Sequence, residues 1–193
     1  MRMQFNTSRL AVGVLSMICA LAVAMPASAK NPKEVKLEIV KDKLVIKTKP
    51  HENDCPWDEP REDGCIKVKK RRKSNIFFHL IGNTKCGLES GTNWTLNAVY
   101  LGGFNAEKKP GEFGFASTSE TDFKKVNADF DIADRNSGRV TLTEQSENRL
   151  AFHDDNQSEY LVWYKIEAIC PRTDGGKAHI TVADPRIKNG GTQ

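Results

Sequence analysis

Little in this chain names a chemistry. Across 193 residues there is no Gly-x-Ser-x-Gly elbow, no His-Glu-x-x-His pair and no phosphate-cradling glycine loop. The four histidines, His51, His79, His153 and His179, are scattered. Neither Cys-x-x-Cys nor His-x-x-x-His occurs, so a zinc site would have to assemble from His51, Cys55 and Cys65 without a local signature. Beyond residue 29 no apolar run is long enough to cross a bilayer. Neither sign of charge dominates either, with 29 basic against 25 acidic side chains. These absences argue against motif-borne hydrolases, zinc peptidases, nucleotide binders and helical membrane proteins. No cofactor and no metal is expected.

What is present begins with the first 29 residues. Arg2 and Arg9 supply a positive start, Leu10 to Ala24 is apolar, and Ala27-Ser28-Ala29 ends the stretch with small residues. This is the pattern of a secretory signal peptide cut before Lys30. Its removal takes away two arginines and no acid, lowering the formal net charge from +4 to +2. So small a charge does not imply nucleic acid or an anionic membrane as partner. Cys55, Cys65, Cys86 and Cys170 remain. An even count in an exported chain favours two disulfides over zinc, because an oxidising compartment consumes thiols first. Of three possible pairings, Cys55–Cys65 with Cys86–Cys170 is preferred. The first staples a polar loop, and the second closes a long one, where chain entropy gains most. The expected location is periplasmic or secreted.

Residues 30–189 alternate with the period of a strand almost throughout. Val35, Leu37 and Ile39 share a face, as do Ile76, Phe78 and Leu80, and Trp94, Leu96 and Ala98. Ala128, Phe130 and Ile132 alternate with Asp129 and Asp131, which predicts another strand with the acids outward. Tyr160, Val162, Tyr164, Ile166, Ala168 and Cys170 define one long strand, and residues 178–182 a last one. Asn136-Ser137-Gly138 and Asp154-Asp155-Asn156 mark turns. The pattern predicts one all-β domain, an antiparallel sandwich of about eight strands. A parallel arrangement is not expected, because no helical stretch is long enough for a crossover. A tail over 190–193 is expected to fray.

Asp154-Asp155-Asn156 precedes Tyr160-x-x-Trp163-Tyr164-x-Ile166, and the chain closes on Asp184-Pro185-Arg186-Ile187-Lys188-Asn189. This layout resembles the DP-EP family of small bacterial proteins, over most of residues 64–189. The resemblance implies an immunoglobulin-like β-sandwich of unassigned biochemical role and brings no catalytic residues. The leader, the four cysteines and the Cys55–Cys65 loop depart from that pattern.

Two features could carry function. Lys67-Val68-Lys69-Lys70-Arg71-Arg72-Lys73 sets six positive charges within seven residues. Such a run can displace the counterions of phosphates or sulfates. Against it, Glu52, Asp54, Asp58, Glu59, Glu62 and Asp63 lie just upstream and could simply screen it, and edge lysines also discourage sheet aggregation. Trp57 lies in the expected disulfide loop, either displayed for recognition or folded back as a cap. Trp163 is expected to point outward beside Leu161, a partner surface. Asp129, Asp131, Asp134 and Asn136 suggest calcium, but Gly138 arrives one residue early for an EF-hand loop and Gln145 stands at its twelfth position. The expectation is therefore an exported, non-enzymatic binding or structural protein of the bacterial envelope. Its contact surface would be Trp57, Lys69, Lys70, Arg71, Arg72, Lys73 and Trp163, and its partner a protein or envelope glycan. The alternatives are a polyanion-binding module acting through residues 67–73, and a small periplasmic hydrolase. The polyanion of the first alternative would be an acidic glycan, lipopolysaccharide or DNA, although nucleic acid is not an expected partner.

Overall fold

The computed structural model describes residues 32–55, 63–86, 92–172 and 175–191, without the side chain of Asp184. The leader at 1–29, Trp57 and residues 192–193 lie outside the described residues. The chain is mostly β, in two sheets. Its strands in order are β1 (Lys33–Val40), β2 (Lys43–Ile46), β3 (Ile66–Val68), β4 (Ser74–Ile81) and β5 (Thr95–Gly102). After helix α1 (Glu120–Phe130) come β6 (Ile132–Asp134), β7 (Arg139–Val140), β8 (Glu144–Gln145), β9 (Arg149–Asp154), β10 (Glu159–Pro171) and β11 (Lys177–Gly190). One sheet has the order β2-β1-β4-β9-β8 and the other β3-β11-β10-β5-β7-β6.

The alternation read from the sequence sets what is buried. Val35, Leu37, Ile76, Phe78, Leu150 and Phe152 from the first sheet share one core with Leu96, Val162, Tyr164 and Ile166 from the second. Phe78 meets Tyr164 across the layers with ring centroids 5.3 Å apart. Phe130, at the end of α1, stands edge-on to Phe152 of one sheet and Tyr160 of the other, at 5.8 and 6.1 Å. Aromatic pairs of this kind add about 0.5–1.5 kcal/mol each beyond the area they bury. The helix therefore plugs one end of the layered core.

Two expectations are corrected here. The sheets are mixed, not purely antiparallel: β1 pairs parallel with β4, and β3 parallel with β11. A parallel neighbour needs a long connection, but that connection need not be a helix. Between β1 and β4 the chain visits β2 and then β3 of the other sheet, which supplies the length. Secondly, the stretch around Asp129 is helical. Ser119 caps α1 by accepting a hydrogen bond from the Asp122 amide at 3.1 Å, and Phe123, Val126 and Phe130 fall on one helical face. The alternation at 128–132 is coincidental. Asp131 ends the helix in the left-handed region, with φ of 51°, and Asp129 is buried rather than outward.

Disulfides join Cys55 to Cys65 and Cys86 to Cys170, the preferred pairing. The second ties the segment before β5 to the end of β10. Among the described residues no helix is long and apolar enough to cross a membrane.

Candidate functional site

The basic run does not lie flat on a sheet. Only Ile66–Val68 is strand, and Lys69 to Lys73 form the turn that carries the chain from β3 to β4 in the opposite sheet. Arg71 sits at φ of 62°, and the Arg72 amide closes the turn on the Lys69 carbonyl at 3.1 Å. The turn presses directly on β11. A Cβ added at Gly190 would stand 2.6 Å from the Lys70 amide nitrogen, so only glycine permits this approach.

One buried side chain holds the turn in place. Asn156 Nδ2 donates to the carbonyls of Lys69 and Arg72, at 2.8 and 3.0 Å. Its Oδ1 accepts from the Gly191 amide at 3.0 Å, and the Arg71 amide donates back to the Gly191 carbonyl at 2.7 Å. Asn156 itself adopts φ of 49°, a left-handed conformation that asparagine tolerates well. Gly191, expected to fray, is thus tied into the fold.

Above this clamp the side chains of the turn edge a cleft of about 30 Å³, lined by Lys33, Asp54, Val68, Lys69, Arg72, Lys73 and Ser74. It has room for a water or two, or for the oxygens of one anionic group reaching in. Four of the seven lining residues are cations and one is an acid. Asp54 is that acid, 2.6 Å from Lys33 and 3.5 Å from Lys69. The Lys33 hydrogen bond above all holds its carboxyl below the usual range, against the opposing effect of burial. Lys73 pairs with Asp155 at 2.6 Å. Burial opposes the ionisation of Asp155, but Lys73 and His153 outweigh it, and its pKa is also lowered. Lys70 and Arg71 are exposed at the tip, and no carboxylate among the described residues pairs with them.

Below the clamp lies a buried polar cluster that sequence reasoning did not anticipate. The Asp129 carboxylate accepts hydrogen bonds from the Gln157 and Ser158 amides, the Tyr160 hydroxyl and Asn189 Nδ2. Asn189 Nδ2 also donates to Asp154 Oδ1 at 3.1 Å, and the Asn156 amide donates to the same oxygen at 2.8 Å. Asp154 is fully buried. Burial, and then the nearby Asp129 charge, raise its pKa to about 8, although the Asn156 and Asn189 hydrogen bonds act the other way. Burial also pushes the Tyr160 hydroxyl up. The signal available in the sequence was the closing Asp-Pro-x-Ile-x-Asn together with Asp-Asp-Asn. Both supply polar residues at positions whose neighbours alternate into the core.

The other predicted residues are not gathered at one place. Trp163 is corrected: it is 5 % exposed, its Nε1 donates to the Ala106 carbonyl at 2.9 Å, and the Arg186 guanidinium covers its ring. Strand parity put it on the outer face, but the loop after Gly103 folds over that face and closes it. Asp129, Asp131 and Asp134 do three different jobs: a buried acceptor, a helix end and a turn, the last accepting from the Asn136 amide and the Ser137 hydroxyl. No group of three or more His, Cys, Asp or Glu able to hold a metal occurs among the described residues. His153 has both ring nitrogens engaged, Nδ1 with Asn75 at 2.7 Å and Nε2 with Asp155 at 3.1 Å. His79 and His179 pair with Glu34 and Glu167 elsewhere. No protein-family model matches the chain, and no curated protein matches it either.

Proposed function

We propose that this protein is an exported, non-enzymatic binding protein of the bacterial envelope, and that its ligand is a polyanion such as an acidic glycan or lipopolysaccharide. The observation that carries this reading is the held basic turn. Six cations of residues 67–73 are not spread along a solvated strand. Five of them crowd onto one turn whose backbone is fixed by buried partners, beside a cleft lined mostly by cations. A preformed cationic turn loses little conformational entropy when it meets a ligand, which is what a binding surface needs. Two disulfides suit the oxidising periplasm or the extracellular space. The ring nitrogens of His153 meet Asn75 and Asp155, neither of them a hydroxyl or thiol nucleophile.

An immunoglobulin-like scaffold and kinship with the DP-EP family belong to the same proposal. Four of the residues that carry the resemblance, Asp154, Asn156, Tyr160 and Asn189, belong to one buried hydrogen-bonded cluster. The parallel pairs depart from a purely antiparallel sandwich.

The test is retention on immobilised heparin and on lipopolysaccharide across a salt series. The double variant Lys70→Ala/Arg71→Ala removes two exposed charges and no described contact. Each phosphate or sulfate contact adds about one to the slope of log affinity against log salt. The variant is expected to lose about two from that slope. Unchanged retention would remove the polyanion and leave a protein partner.

A further inference from the structure

Two buried oxygens of the polar cluster have no hydrogen-bond partner among the described residues, Asp154 Oδ2 and Asn189 Oδ1. They belong to side chains already joined by one hydrogen bond, from Asn189 Nδ2 to Asp154 Oδ1. Both residues are essentially inaccessible to solvent. Two orphaned acceptors on a linked pair is a costly arrangement if both stay acceptors. One proton resolves it. An acid Oδ2–H becomes a donor, and the amide oxygen becomes its partner, so that acid and amide close a ring of two hydrogen bonds.

We propose that the Asp154–Asn189 pair holds a proton in the resting protein, and that its release loosens the clamp that positions the basic turn. The proton leaves Asp154 Oδ2 for solvent, and the carboxylate left behind has a buried Oδ2 that no donor among the described residues reaches. Two donors reach Asp154, the Asn156 amide and Asn189 Nδ2, both at Oδ1 and both favouring the anion. Helix α1 contributes the Asp129 carboxylate, β4 contributes Ser74 as the register partner, β10 the Tyr160 hydroxyl and β11 Asn189. Asp155, next along the chain, is a second negative charge, and Lys73 is engaged by it. Burial and the Asp129 and Asp155 charges all favour the protonated acid. The route outward is short: Asp154 Oδ1 accepts the Asn156 amide, and Asn156 holds Lys69, Arg72 and Gly191. Its effect on ligand affinity rests on the polyanion reading, but the latch itself does not.

Carbon-13 NMR of the side-chain carboxyls between pH 4 and pH 10 tests it. The Asp154 carboxyl is expected to titrate near pH 8, and the Asn156, Gly191 and Arg71 amides to shift with the same midpoint. Asp154→Asn supplies a permanent donor in place of the acid proton, so those amide shifts are expected to vanish. In parallel, heparin affinity is expected to fall several-fold from pH 6 to pH 9 in the natural protein and to stay level in the variant. An Asp154 carboxyl already ionised at pH 5 would overturn the proposal. So would a titration that the turn amides ignore. A midpoint moved by added calcium or sodium at constant ionic strength would also overturn it, by making the occupant a cation. If heparin is never retained while carboxyl and turn titrate together, the latch stands and the polyanion reading falls. If Asp154→Asn does not fold, the natural protein's titration still decides.

Discussion

Asn156 concentrates more of the site than any other residue. Three backbone groups from two separate segments depend on its side-chain amide. Asn156→Ala leaves them without partners, at about 1–3 kcal/mol for each one that water does not reach. A loss of roughly 2–4 kcal/mol in urea denaturation is expected on that basis. Heparin retention should weaken more than global stability implies, because the turn is what comes loose. Asn156 and Asn189 stand out in the sequence only as members of the Asp-Asp-Asn run and the closing Asp-Pro-x-Ile-x-Asn, with nothing to say that they meet. An asparagine after two aspartates reads as a turn, and Asn189 lies beyond the last strand that the alternation marks, at 178–182. Trp163 was misread for a related reason. Strand parity tells which face a side chain takes but not whether a distant loop covers that face.

At the level of elements, alternation was a reliable guide where both sheets are buried on one side, and it failed where the chain is helical. The face made by Phe123, Val126 and Phe130 was present in the sequence, but a local period of two around Asp129 masked it. The parallel pairings were hidden for a different reason. They join segments far apart in the chain, and no local pattern records which strands become neighbours. The disulfides were legible because compartment and spacing both bear on them. They also differ in weight. Cys86–Cys170 spans 84 residues and Cys55–Cys65 spans 10. Loop-closure entropy gives about 4–5 kcal/mol for the first and about 3 for the second. Cys86→Ala/Cys170→Ala should therefore lower the melting temperature further than Cys55→Ala/Cys65→Ala. A reversed order would mean that native-state strain or residual structure in the unfolded chain outweighs loop length.

For the molecule as a whole, acidity acts in two separate windows. Asp54, Asp122, Asp134 and Asp155 have lowered pKa values, so their contribution is present above the ordinary carboxyl value of 3.8 and is lost as pH falls below it. Asp154 is raised, and the sign reverses. Its contribution is complete below 3.8 and drains away as pH climbs toward about 8, where it levels off. The slope it imposes is at most about 1.4 kcal/mol per pH unit. Urea denaturation at pH 5, 7 and 9 should find the protein losing stability upward through this range, and Asp154→Asn should flatten that limb. A limb unchanged in the variant would assign the loss to other groups.

The parallel neighbours β3 and β11 carry one more consequence. A polypeptide made from its amino end brings residues 66–68 out long before their hydrogen-bonding partners at 187–189 exist. Until the final strand is complete, Gly190 cannot back the turn and Gly191 cannot anchor it. Pairing between such distant stretches is slow, because the intervening loop must close before any contact rewards it. The cationic surface is thus among the last parts of the molecule to acquire its shape. A nascent chain could not present the held turn until synthesis had reached the final strand.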